Sequence, residues 1–240
     1  MKFLIILILN FYCVLGKLSS QSIEVYSGLL FSHSNKIGNS IIGEDDFSHS
    51  DFPITFTLNL DLKRHNYYPY ISFTKYKGKT LALLNSEFIL DSYGNSIEAI
   101  GYNGVNVYKV DCGMKVPLLN YKNFIALEGL IAIGFQKSIK NGFDFYEIDI
   151  NGKDYFAVNP IMANAYSNFQ IVPSIGFHSK ININKSFYFN LIANGSYGFK
   201  KIQEIYFEYS FKGSESQRTI IESSGSGIYF GIGLGYKFKA

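Results

Sequence analysis

The chain has 240 residues, long enough for one large all-β domain, and its composition is 47% hydrophobic and 17% aromatic. Its 22 Gly and 5 Pro residues are too few for a fibrous or disordered chain, and a formal net charge of +3 gives no field that would attract nucleic acid. The aromatic residues are 22 Phe and 19 Tyr, which favour pleated, half-buried strands.

The N-terminus has the pattern of a secretory signal peptide. Lys2 supplies the positive charge, Phe3–Leu9 is an unbroken apolar run, and Gly16 is a small residue at the cleavage position. The apolar stretch, about 13 residues in all, is shorter than the roughly 20 that a spanning helix needs. The predicted boundaries are a signal peptide over residues 1–16, or 1–20, and a mature domain over residues 17–240. The mature chain then keeps one cysteine, Cys112, and forms no internal disulfide.

Eight segments of the mature chain alternate between apolar and polar residues. The clearest begins at Ile54, where Ile54, Phe56 and Leu58 interleave with Thr55 and Thr57. A period of two is the signature of a strand with one apolar face, and no helix would bury it. The segments lie near residues 23–31, 54–62, 70–76, 107–116, 124–135, 169–180, 187–199 and 228–238.

Short and long connections alternate strictly between these segments. The short ones lie near residues 64–66, 120–123 and 182–185, and the long ones near 32–52, 77–104, 136–167 and 201–227. Outer-membrane barrels have tight periplasmic turns and long external loops. The sequence therefore predicts an all-β fold, an eight-stranded antiparallel up-and-down transmembrane β-barrel in the outer membrane, with both ends of the chain in the periplasm.

The charged residues inside the segments lie on the face opposite the large apolar residues. A Lys or Arg on the lipid face costs roughly 2–4 kcal/mol at the bilayer midplane. We therefore predict that the charges face the lumen, where Glu128 pairs with Lys109 or Lys115; the alternative is that they point into water near the rims. This predicted structural cluster in the lumen consists of Asp61, Lys109, Asp111, Lys115 and Glu128.

The last segment is predicted to be the strand that the outer-membrane assembly machinery contacts. Gly231, Gly233 and Gly235 alternate with apolar residues, and the strand ends with Tyr236 and Phe238. The glycines resemble part of a dinucleotide-binding fingerprint, but no helix follows them, so we interpret them as small inward residues of a narrow barrel. Trp is absent, so any interfacial girdle must consist of other aromatics. The candidates are Tyr70, Tyr108, Tyr121, Tyr197 and Tyr236.

No residues have the spacing of a catalytic, cofactor or metal site. The histidines, His33, His49, His65 and His178, are scattered through the chain. A lipid-modifying hydrolase needs a Ser, a His and an acid on one face, and the nearest combination is His33, Ser34 and Glu44. We predict a solvated acidic loop at Glu44, Asp45 and Asp46, in preference to a calcium site. The apolar residues at 81–84 and 88–90 predict an extension of the strands, a cap on the barrel or a partner surface.

The stretch Tyr108–Leu119, which ends in Pro117-Leu118-Leu119, resembles the strand and turn of the PorT-like outer-membrane β-barrel proteins of Bacteroidota. Pro173–Phe177 and the Gly-rich terminal strand are also similar. The resemblance implies an eight-stranded OmpX-type barrel and implies no shared activity.

These observations predict a non-enzymatic protein with a structural or adhesive role, acting through its external loops or within an envelope complex. Its expected partners are outer-membrane lipid, the assembly machinery and an envelope or host-surface protein, with no cofactor and no nucleic acid. The alternatives are a lipid-modifying hydrolase, a narrow porin, and a soluble lipocalin-like barrel with its apolar residues inside.

Overall fold

A computed structural model describes nine stretches of the chain: residues 20–38, 42–44, 48–49, 52–61, 67–84, 100–122, 124–146, 156–211 and 217–238. The predicted signal peptide lies outside these residues. Within them the chain forms twelve strands: β1 Ser20–Gly38, β2 Ile42–Glu44, β3 Ser48–His49, β4 Ile54–Asp61, β5 Tyr68–Leu84, β6 Ile100–Tyr121, β7 Ile125–Tyr146, β8 Phe156–Ala165, β9 Phe169–Asn182, β10 Phe187–Ser196, β11 Gln203–Phe211 and β12 Gln217–Lys237. No helix in the described ranges is long and apolar enough to span a membrane.

Eight of the strands form a closed antiparallel ring. Its order is β1, β4, β5, β6, β7, β9, β10 and β12, and β12 pairs back with β1 to close the barrel. Each ring strand covers all or most of one of the eight predicted segments, so the predicted fold is confirmed. At the closing seam, Gly28 of β1 lies opposite Gly231 of β12. Closure leaves the barrel wall without the open edge that a lipid environment would penalise.

Tight turns join ring strands at the end of the barrel where β1 begins and β12 ends. Between β6 and β7 the amide of Phe124 donates to the carbonyl of Tyr121 at 2.9 Å, and Lys122 has a φ of 48°. Between β9 and β10 the side-chain oxygen of Asn184 accepts hydrogen bonds from the amides of Ser186 and Phe187, both at 2.8 Å. Asn stabilises turns in this way because its short side chain reaches the backbone.

At the opposite end, which we predict to be external just as the end with the tight turns is predicted to be periplasmic, the wall continues as a sheet beyond the ring. β12 pairs with β10 up to Gly227, and its earlier half pairs with β11, which in turn pairs with β8. β5 pairs with β6 as far as Ala82. The apolar stretch at 81–84 therefore extends the strands, which is the first of the three alternatives predicted from the sequence. Residues 88–90 lie outside the described part. Much of the sequence predicted as long loops is therefore ordered sheet.

The faces of the ring strands are sorted as lipid requires. Ile131 and Leu234 are 56% and 53% exposed on the outside, whereas Glu128 is 4% exposed on the inside. Apolar side chains face outward along every ring strand, and most polar ones face the lumen. The lipocalin-like alternative, which needs the reverse arrangement, is wrong.

Candidate functional site

The lumen near the periplasmic end contains a cluster of buried charged and titratable side chains. Lys115 of β6 contacts Glu24 of β1, with 2.6 Å between Nζ and Oε2. Lys180 of β9 contacts Glu128 of β7 at 2.8 Å, and Nδ1 of His178 is also 2.8 Å from Glu128. Strand alternation places these residues on the inner face, and two carboxylates balance two ammonium groups. We call these five residues the lumen network.

Tyrosine hydroxyls complete the hydrogen bonding of the lumen network. The hydroxyl of Tyr188 donates to Oε1 of Glu24 at 2.9 Å, and that of Tyr26 donates to Oε2. The Tyr26 hydroxyl also lies 3.2 Å from Nε2 of His178. A buried carboxylate is tolerated only where charge and hydrogen bonds replace its water. Glu24 meets both conditions, and its contacts with Lys115 and Tyr188 connect β1 to β6 and β10 at this end of the lumen.

The predicted pairing of Glu128 with Lys109 or Lys115 is wrong. Glu128 lies directly opposite His178 in the pairing of β7 with β9, and its partners are His178 and Lys180. Lys109 instead pairs with Asp111 at 3.0 Å. Face alternation identifies inward residues but leaves their heights along the barrel axis undetermined.

The sequence prediction omitted three members of the lumen network: Glu24, His178 and Lys180. Each lies on the polar face of a predicted segment, so the same rule that selected Glu128 could have found them. Four members of the predicted lumen cluster are buried, namely Lys109, Asp111, Lys115 and Glu128. The backbone of Asp61 pairs with Ser20, and its side chain lies outside the described part.

Above the lumen network, the lumen is filled by further layers. Lys109 donates to the hydroxyl of Ser174 at 2.8 Å, beside its ion pair with Asp111. An apolar layer follows near the external mouth, where Ile202, from the connection between β10 and β11, packs against side chains of β1, β5 and β6. That layer consists of Leu30, Tyr76, Val105, Val107 and Ile202. Such stacked layers hold the strands together, as expected in a barrel of eight strands.

Four of the five predicted girdle tyrosines lie on the outer face. Tyr121 and Tyr236 are near the periplasmic end, and Tyr108 and Tyr197 are near the external end. The prediction for Tyr70 is wrong: it is 7% exposed in the lumen, where the Nζ of Lys115 lies 5.5 Å from its ring centroid. Tyr70 alternates with the outward Ile71 and so belongs to the inner face.

The terminal strand lies in the ring as β12. Gly231, Gly233 and Gly235 face inward, and the ring of Tyr236 lies 5.3 Å from that of Phe238 on the outer face. Phe187 of β10 packs beside Tyr236, and the centroids of the two rings are 5.0 Å apart. The aromatic end of the chain is thus built into the lipid-facing wall.

His33 and Ser34, two members of the hydrolase combination considered from the sequence, point to opposite faces of β1. His33 is exposed whereas the adjacent Ser34 is buried, because neighbours in a strand point to opposite faces. The side chain of Glu44 lies outside the described part, as do Asp45 and Asp46. No group of three His, Cys, Asp or Glu residues in the described ranges could hold a metal ion.

A second charged cluster lies in the external sheet. Glu204 of β11 and Glu222 of β12 are directly opposite each other, and the ammonium group of Lys201 contacts both carboxylates. Like charges in this position repel, so Lys201 offsets the repulsion. Burial works to raise the pKa of Glu204, but the hydrogen bond and charge of Lys201, together with hydrogen bonds from Tyr206 and Tyr166, hold that pKa below its ordinary value. Burial works to lower the pKa of Lys201, but hydrogen bonds to both glutamates hold it above its ordinary value.

The lowered pKa of Glu204 predicts that acid weakens the external sheet. The contribution of Glu204 is complete above the ordinary glutamate pKa, about 4.3, and is lost as the pH falls through the lower pKa of the folded state. Because Lys201 is partly exposed, we expect only about 0.2–1 kcal/mol. Amide hydrogen exchange in β11, compared between wild type and Glu204→Gln at each pH, should show up to roughly fivefold stronger protection in wild type at neutral pH. This advantage should disappear in acid; one that stays constant down to the lowest pH would contradict the prediction.

No family model matches the sequence, and no curated protein matches it. Among solved structures, a major outer membrane protein from Thermus thermophilus is similar with a TM-score of 0.50 and 7% identity, over 91% of this chain and 99% of that one. Neisserial surface protein A has a TM-score of 0.44 and 7% identity, over 91% and 96% of the chains. Ail, the attachment invasion locus protein of Yersinia pestis, has a TM-score of 0.41 and 13% identity, over 92% and 99%. At these identities the likeness concerns the fold alone, and we base it on the Thermus protein. The resemblance to the PorT-like family stays a prediction.

Proposed function

We propose that this chain is a non-enzymatic protein of the outer membrane that displays an external β-sheet for binding a protein partner. The role is adhesive or structural, toward a host-surface protein or another component of the envelope. Export by the signal peptide and insertion through the terminal strand are parts of the same proposal. The filled layers of the lumen support a binding role over the alternative of a narrow porin.

The open edge of β8 is the observation that carries the proposal. In the described sheet, β8 pairs with β11 on one side and is the terminal strand of the sheet order. An edge strand presents a row of unpaired amides and carbonyls, which an extended peptide of a partner can use by adding one more strand. Because β8 lies beyond the barrel wall, we expect an extended peptide to reach this edge from the external medium.

Pro160 fits the assignment of β8 as an edge strand. Proline lacks an amide hydrogen, so in sheets it is tolerated where its nitrogen faces away from the paired neighbour. The nitrogen of Pro160 therefore faces the open edge. Val158, two residues earlier, directs its amide the same way because backbone groups alternate along a strand. The edge thus has an open donor at Val158 and lacks one at Pro160.

These positions give a direct test with a labelled synthetic peptide that copies β11, residues 203–211. We expect the peptide to bind the full chain in nanodiscs, measured by fluorescence anisotropy. Val158→Pro removes one donor worth about 0.5–1.5 kcal/mol and should weaken binding roughly 2- to 10-fold. Pro160→Thr restores a donor and should strengthen binding by a similar factor.

The matched control is Ala157→Pro, whose amide faces β11. It should loosen the pairing of β8 with β11, seen as faster amide exchange in β11, whereas Val158→Pro should leave that exchange unchanged. Equal peptide affinity for wild type, Val158→Pro and Pro160→Thr would show that the edge of β8 is not the binding surface.

A further inference from the structure

A tyrosine flanked by two lysines lies on the outer face near the external end of the barrel. Lys75 of β5 is directly opposite Tyr108 of β6, and Tyr108 is directly opposite Lys137 of β7. Both lysines are exposed, and the Nζ of Lys75 lies 5.8 Å from the centroid of the Tyr108 ring. Since neighbouring strands are about 4.8 Å apart, the two lysine backbones are about 10 Å apart.

The positive charge of these two lysines is not balanced by the described acidic side chains. Glu24, Asp111 and Glu128 point into the lumen and have partners there. Glu204 and Glu222 contact Lys201. Lysines on the lipid side of a barrel are tolerated near the interface, where their ammonium groups reach water or anionic headgroups.

The surface directly below the two lysines is apolar. Two residues closer to the periplasm on the same strands, Phe73, Val110 and Phe135 form the next outward row, and all three are exposed. The ring of Phe73 lies 6.4 Å from that of Tyr108. A row of cationic groups above a continuous apolar strip matches a molecule with an anionic head and hydrocarbon chains. Inorganic phosphate would contact the lysines alone, whereas a lipid would also use the apolar strip that continues from them.

We propose that Lys75, Tyr108 and Lys137 bind the phosphate group of an anionic outer-leaflet lipid, with an acyl chain along Phe73, Val110 and Phe135. The inference rests on the proposed outer-membrane location. The two ammonium groups approach the phosphate from either side, and the Tyr108 hydroxyl, at the same level, is a further donor. Phosphate groups accept such charge-assisted hydrogen bonds strongly.

The test is titration of the purified full chain, in mild detergent, with fluorescent diphosphoryl lipid A. A lysine near an anionic lipid surface contributes about 1 kcal/mol, so Lys75→Gln and Lys137→Gln should each weaken binding roughly fivefold. The matched control is Lys122→Gln at the periplasmic turn, where the Nζ of Lys122 lies 5.3 Å from the ring of Tyr121. This control should bind like wild type, because the Lys and Tyr that it disrupts lie at the periplasmic end of the barrel, away from the proposed lipid site.

Two further arms identify the source of the phosphate. Dephosphorylated lipid A should bind the wild type more weakly than either single lysine variant binds the phosphorylated form, because it loses the contributions of both lysines, and inorganic phosphate should compete poorly. Equal loss in Lys122→Gln, no loss in either lysine variant, or equally effective competition by inorganic phosphate would each overturn the proposal.

Heat-modifiable gel mobility and outer-membrane fractionation separate this inference from the proposed function. A wild-type chain that neither shifts on boiling nor fractionates with the outer membrane would overturn both. A chain that passes both tests and binds the β11 peptide, but binds lipid A without dependence on Lys75 and Lys137, would overturn the lipid site alone.

Discussion

Replacing Lys115 by Met should lower the free energy of unfolding by about 3–5 kcal/mol, the usual cost of leaving a buried charge without its partner. Lys115 and Glu24 are 1% and 0% exposed, and their charged atoms are 2.6 Å apart. Met fills a similar volume, so the loss reports the stranded carboxylate more than a cavity. A loss of this size is a large fraction of a typical domain stability of about 5–15 kcal/mol.

The measurement is equilibrium unfolding of the refolded barrel in urea. Lys122→Met, at an exposed periplasmic turn, is the control and should change stability by less than about 0.5 kcal/mol. The double variant Glu24→Gln/Lys115→Met should recover much of the loss, because no charge is left buried: the amide oxygen of Gln can accept from one of the hydroxyls of Tyr26 and Tyr188, and its NH2 group can donate to the other. A single variant as stable as wild type would show that Glu24 does not depend on Lys115.

The ring could be predicted from the sequence because each strand is lipid-exposed on one face and enclosed on the other. This environment imposes a period of two, which Ile54, Phe56 and Leu58 show plainly. The strands β8 and β11 of the external sheet were not predicted, because they do not have one exposed face and one enclosed face throughout. In β11 the adjacent residues Glu204 and Ile205 are both buried, so the apolar and polar alternation that marks a membrane strand is lost.

The contacts inside the lumen were harder to predict than the identity of the inward residues. Alternation places Glu128 and Lys115 on the inner face, but the tilt of the strands decides which inward residues share a height. Here that tilt brings Lys180 and His178 to Glu128 and leaves Lys115 to Glu24. Predicting these pairs requires the register around the whole ring, which no single strand contains.

The tightest backbone contact at the closing seam predicts a second strong effect, at Gly28. A Cβ there would overlap the carbonyl oxygen of Phe230 and lie 2.5 Å from the Cα of Gly231. Both obstacles are backbone atoms of β12, so they can yield only if β1 and β12 move apart. Gly28→Ala should therefore destabilise the barrel by about 1–3 kcal/mol, as overpacking usually does.

Gly195→Ala is the matched control for this prediction. Gly195 also lies in a ring strand, but the nearest atom to an added Cβ is the Ile175 carbonyl oxygen at 3.8 Å. Alanine is favoured over glycine within a strand by roughly 0.5–1 kcal/mol, so this variant should be neutral or slightly more stable. Urea midpoints at an unchanged m-value compare the two variants. Equal stabilities would mean that β1 and β12 separate at little cost, so that barrel closure depends on the lumen network and not on the close approach of the two strands.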